Sequence, residues 1–166
     1  MDEVIKRLGI RYSDLQRDIN RRDTLAKIYG LAVDIGPSDL SHRLLNLVNT
    51  KSWEVSDAER RELSRLRRVV IQCEYASSIM GGVSDIELLI QDTKDGLAEL
   101  EARIHWIKRL QSAADICTSL GCKDTMVRIN GKLSELKLTP SELGPLRRGR
   151  HDLTCLRTLA REMNNA

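Results

Sequence analysis

Apolar residues in this 166-residue chain recur every three or four positions almost from end to end, and strict alternation over a strand-length window is nearly absent. A period near 3.6 puts such residues on one face of an α-helix, whereas a half-buried strand needs a period of two. That feature restricts the expected fold to all-α.

Caps and breakers divide the pattern. Val4, Ile5, Leu8, Tyr12, Leu15, Ile19, Ala26, Tyr29 and Val33 form one stripe, interrupted only by Arg22 and stopped at Gly36-Pro37. The spacing predicts one long helix over residues 2–34, or two broken at Gly9. Ser38 stands at an N-cap position before Leu40, Leu44, Leu47 and Val48, which predicts a short helix over 38–50 and then a loop. Ser56-Asp57-Ala58-Glu59 is a capping-box pattern opening a helix over 56–80, with Leu63, Leu66, Val70 and Cys73 inward and a stop at Gly81-Gly82.

Ser84-Asp85-Ile86-Glu87 repeats the capping-box signal and opens the longest segment, 84–120. Ile86, Ile90, Thr93, Leu97, Leu100, Ile104, Ile107, Gln111 and Ala114 keep a heptad rhythm there. Asp95-Gly96 is the candidate break, but the reading favours a continuous rod of about 50 Å at the helical rise. Within 123–166, Met126, Ile129, Leu133 and Leu136 mark a helix weakened by Asn130-Gly131. Thr139-Pro140-Ser141-Glu142 opens a turn that Gly144-Pro145 is expected to end at once, and Leu153, Leu156, Ala160 and Met163 define a terminal helix. The expectation is a single helical domain over 1–166: an elongated bundle of five to seven helices with one long heptad-patterned member.

With 41% apolar and 31% charged residues, the chain can close a core and is not a disordered one. Its apolar runs fall far short of the ~20 residues of a membrane-spanning helix. The first ten residues mix charges with apolar side chains, unlike a secretion signal, and the four cysteines read as reduced thiols. An intracellular protein, cytoplasmic or nuclear, is expected.

A net charge of +3 does not by itself mark a nucleic-acid binder, but its distribution is uneven. Residues 84–120 carry seven acids against four bases, residues 121–166 nine bases against five acids, and nineteen of the 27 cations are Arg. Arg60, Arg61, Arg65, Arg67 and Arg68 fall within nine residues, with Arg61, Arg65 and Arg68 on one strip and Arg60 and Arg67 on the next. Such a face suits phosphates, whose neutralisation releases counterions and gives affinity without sequence preference. The competing explanation is a solvated face paired with Asp57, Glu59, Glu62 or acids of the long helix. Arg147, Arg148, Arg150 and His151 form a second cluster, read as a basic connector, with Arg157 and Arg161 beyond it. Only Tyr75 lies near the first cluster, so backbone readout of a duplex fits better than base stacking.

Cys117-x4-Cys122 and His151-x3-Cys155 would supply four zinc ligands only if the fold gathered them; the spacing is not diagnostic, and no metal or cofactor is expected. Cys73 reads as core. Nucleotide-loop, serine-elbow and zinc-protease motifs are missing, and His42, His105 and His151 lie on separate segments without a nearby nucleophile. Trp53 and Trp106 read as core or interface anchors.

The functional expectation is a non-enzymatic nucleic-acid-binding protein, RNA favoured, using Arg60, Arg61, Arg65, Arg67 and Arg68 with help from Arg147, Arg148 and Arg150. It would act as a homo-oligomer through Ile86, Ile90, Leu97, Leu100, Ile104 and Ile107. The alternative is an oligomerising adaptor that uses the heptad surface, with an acidic protein partner in place of nucleic acid.

Overall fold

A computed structural model describes residues 1–35, 42 and 54–166, and among these every regular element is an α-helix. The chain is an all-α helical bundle protein with five described helices: α1 Asp2–Ile35, α2 Asp57–Met80, α3 Ile86–Leu120, α4 Lys123–Leu136 and α5 Pro140–Asn164. The helix expected over 38–50 and the loop residue Trp53 lie outside the described residues, apart from His42, which is exposed. None of the described helices is long and apolar enough to cross a membrane. Two compact units are present, one of Met1–Ser77 with Arg161–Ala166, the other of Ser78–Ala160.

In the first unit α1 runs unbroken through Gly9 and buries Leu8 and Ile19, with Val4, Ile5, Tyr12 and Leu15 half-buried along the predicted stripe. Arg22, the apparent interruption, is a stripe member whose side chain is only 15% exposed. It reaches Glu59 at 2.6 Å and Asp18 at 2.7 Å. The capping box at Ser56 forms as expected: the Glu59 amide donates to Ser56 Oγ at 3.2 Å, and the Ser56 amide donates to Glu59 Oε2 at 2.9 Å. Leu66, Val69, Cys73 and Ala76 are the buried stripe of α2 in this unit, while Leu63 and Val70 are half-buried; Met80, also buried, belongs to the second unit. The inward face is therefore turned by about 60° from the expected one.

In the second unit, α3 is continuous through Gly96. Its cap is Asp85 rather than Ser84, with the Asp85 carboxylate accepting from the Leu88 amide at 3.1 Å. A carboxylate is both a strong acceptor and a favourable charge at a helix N-terminus. Ile86, Ile90 and Leu97 are buried, as are Ile129 of α4 and Leu146, Cys155, Leu156, Leu159 and Ala160 of α5. A Cβ on Gly149 would sit 2.8 and 2.9 Å from the Leu97 methyls, so the bare backbone of α5 admits the Leu97 side chain of α3.

One expectation is overturned: Gly144-Pro145 does not end a turn, because α5 continues from Pro140 to Asn164. Pro145 is the sixth residue of α5 and sacrifices one early hydrogen bond. The buried row beginning at Leu146 outweighs that local loss. Asn130-Gly131 likewise leaves α4 intact.

One arginine fastens the α4–α5 turn. Arg103 Nη1 donates to Glu142 at 2.6 Å, and Nη2 lies 3.4 and 3.3 Å from the Leu136 and Lys137 carbonyls at the end of α4. Glu142 also accepts from the Thr139 amide at 2.8 Å. The guanidinium thus meets the negative end of one helix and the acidic cap of the next, as the helix dipoles favour.

Candidate nucleic-acid interface

The α2 surface opposite the buried stripe centres on Ser64 and Ile71. At 100° per residue, Arg60 and Arg67 fall on one flank of that line and Arg61 and Arg68 on the other. All five arginines of the cluster are exposed. They are not equivalent electrostatically. Arg60 Nη2 holds Asp23 of α1 at 2.9 Å. Arg65 makes a two-point contact with Glu62, Nε at 2.6 Å and Nη2 at 2.7 Å, and Glu62 also accepts from Arg11 at 3.0 Å. That fork holds the Glu62 carboxyl below its usual range, and the carboxylate in turn raises Arg65.

Arg61, Arg67 and Arg68 have no carboxylate partner among the described residues. Arg61 and Arg68 are seven residues apart, about 10 Å along the helix. Towards the helix C-terminus the same ridge becomes less polar, with Ile71 55% exposed and Tyr75 37% exposed. The cationic face expected from sequence is therefore split: Arg60 and Arg65 serve ion pairs of the first unit, and Arg61, Arg67 and Arg68 remain as an open set.

Glu59 stands beside this face and anchors it. Hydrogen bonding from Arg22, then from the Ser56 amide and hydroxyl, lowers its carboxyl from 4.5 to about 2. It fixes the first turn of α2, from which the arginines project.

In the second unit the other basic cluster lies on helix α5, not on a connector. Arg147 and Arg148 are exposed, without a carboxylate among the described residues. Arg150 is held by Glu101 of α3 through a fork at 2.6 and 2.7 Å. This contact lowers the Glu101 carboxyl and raises Arg150. Arg150, Arg157 and Lys94 line a shallow groove between α3 and α5. Lys94 was not legible as part of this group, since only the α3–α5 packing brings it there.

The heptad positions divide as well. Ile86, Ile90 and Leu97 are buried within the single chain and so are not available to a second copy, while Leu100, Ile104 and Ile107 are half-buried. Sequence reasoning missed the opposite face of α3, where Ala102, Trp106, Arg109, Ile116 and Leu120 share an outward strip. Trp106 is 54% exposed and carries the Arg109 guanidinium 5.2 Å from its ring centre.

The zinc candidates are not gathered: no group of three or more His, Cys, Asp or Glu suited to a metal occurs among the described residues. His151 Nε2 and Cys155 Sγ lie 3.6 Å apart on one helix, and Cys155 is fully buried. Burial, with Asp152 nearby, pushes its thiol up. Comparison of the chain with protein-family models, curated proteins and solved structures returns no match.

Proposed function

We propose that this chain is a non-enzymatic nucleic-acid-binding protein that contacts the RNA backbone through Arg61, Arg67 and Arg68 of α2. The observation carrying this reading is the selective pairing of the cluster: of its five exposed arginines two hold carboxylates of the same unit, and three have no carboxylate partner among the described residues. Guanidinium groups with no carboxylate partner among the described residues keep their donors open to a phosphate. Arg is suited to phosphate because its planar fork donates two parallel hydrogen bonds. Arg147, Arg148 and Arg157 supply a further basic surface on the other unit.

Fluorescence anisotropy with a labelled RNA duplex tests the assignment. Arg61→Gln/Arg67→Gln/Arg68→Gln is expected to weaken binding at least about tenfold, since hydrogen bonds to charged groups contribute roughly 1.5–3 kcal/mol each. Arg60→Gln/Arg65→Gln should change affinity less while lowering the melting temperature. Equal losses in both variants would refute the assignment.

The second reading, a protein adaptor, is favoured by the outward strip of α3, where Ile116 is 60% and Leu120 72% exposed beside Trp106. Aromatic and aliphatic anchors on one helix face are typical of protein contacts. Loss of a protein partner on Trp106→Ala, with RNA affinity absent in the parent chain, would favour it instead.

A further inference from the structure

The turn between α3 and α4 has a specific geometry. Gly121 is left-handed, with φ 71° and ψ 22°. Its amide points at the Cys117 and Thr118 carbonyls, and the Cys122 amide donates to the Cys117 carbonyl at 3.0 Å. These bonds define a helix C-terminus in which the residue after glycine folds back over the residue five positions earlier, and the two side chains commonly touch. In this chain those two positions are Cys117 and Cys122.

The four cysteines consequently fall into two pairs of opposite character. Cys73 and Cys155 are fully buried. Cys117 is half-buried and Cys122 exposed, and none of the four is in a disulfide. Cys122 is also the N-cap residue of α4, yet its side chain makes no capping hydrogen bond. Its Sγ is 4.0 Å from the Leu120 carbonyl, a weak contact that leaves the thiol free to turn.

We propose that Cys117 and Cys122 form a reversible dithiol–disulfide site that closes on reaction with a low-molecular-weight disulfide such as oxidised glutathione. The exposed Cys122 thiolate, having lost its proton to solvent, attacks one sulfur of the reagent. A mixed disulfide forms and one small thiol leaves. Cys117, deprotonated in turn, attacks the Cys122 sulfur and expels the second small thiol. Two protein thiols and one small disulfide become one protein disulfide and two small thiols; the chain loses two electrons and the reagent gains them. Closure joins the last turn of α3 to the residue before α4.

The test uses the full chain equilibrated in glutathione redox buffers, with acid quenching, intact mass and peptide mapping. The expected product is two hydrogens lighter and carries a Cys117–Cys122 link, with Cys73 and Cys155 still reduced. Because the folded turn fixes the Cys122 amide on the Cys117 carbonyl, the closure constant should be at least about tenfold larger in the native chain than in urea, as linkage between folding and a native-compatible disulfide requires. Cys117→Ser should stop at a glutathione adduct on Cys122. A native chain that yields only adducts or intermolecular dimers, or a closure constant equal in urea, would overturn the proposal. Cys73→Ser/Cys155→Ser, if it folds, should close as the parent does; if it does not fold, peptide mapping of the parent still decides.

Discussion

At the scale of single residues, the two capping-box glutamates have the strongest electrostatic environments. Glu59 is lowered to about 2 chiefly by Arg22, and Glu142 to about 2 chiefly by the Thr139 amide and then Arg103. Both carboxyls ionise more readily folded than unfolded, so the stabilisation they give is complete above about 4.5 and disappears as pH falls towards about 2. The melting temperature is therefore expected to drop through that window. Glu59→Gln and Glu142→Gln should each lower it at neutral pH and flatten the acid limb, as thermal melts followed by circular dichroism will show. An acid limb unchanged in both variants would contradict these assignments. The caps themselves were legible because a capping box spans four consecutive residues. The arginines clamping them were not: Arg22 reaches Glu59 across 37 positions and Arg103 reaches Glu142 across 39, and no local pattern encodes such a partner.

At the scale of elements, the periodicity with its caps and breakers placed α1, α2 and α3 to within two residues and marked α4 from Met126 to Leu136, since each helix buries a continuous stripe. It fails at α5, where the buried row from Leu146 to Ala160 outweighs the local breaker pair Gly144-Pro145. This failure makes a prediction: Pro145 is exposed inside a helix and blocks one hydrogen bond, so Pro145→Ala should stabilise the chain by about 1–2 kcal/mol in urea denaturation. A neutral or destabilising result would mean that Pro145 helps to set the start of α5. Glycines give a paired test. Nothing lies within 4 Å of a Cβ built on Gly96 or Gly131, so Ala at either position should gain about 0.5–1 kcal/mol from helix propensity. At Gly149 the same gain meets the Leu97 methyls, and overpacking of roughly 1–3 kcal/mol should cancel or reverse it. Equal stabilisation at all three sites would contradict the close approach of α3 and α5. The Arg-rich helix was legible as a cluster, but which arginines stay open was only half so. Glu62 three residues before Arg65 is a readable helical pair, whereas Asp23 opposite Arg60 depends on how α1 meets α2.

At the scale of the whole molecule, the account rests on phosphate recognition by α2 in the first unit. Oligomerisation through the heptad seam loses its buried members, Ile86, Ile90 and Leu97, to the chain's own core, so each unit is expected to present its basic surface without needing a second copy. The salt dependence of RNA binding is the most direct measurement, because it counts neutralised phosphates rather than total affinity. Between about 50 and 200 mM salt the parent chain should bind an RNA duplex with a log–log slope set by its phosphate contacts, at roughly 0.7–0.9 per contact. Replacing Arg61, Arg67 and Arg68 by Gln should make that slope shallower by about 2–3. A parent chain that does not bind, or a slope unchanged in the triple variant, would contradict the claim that these three arginines hold the backbone.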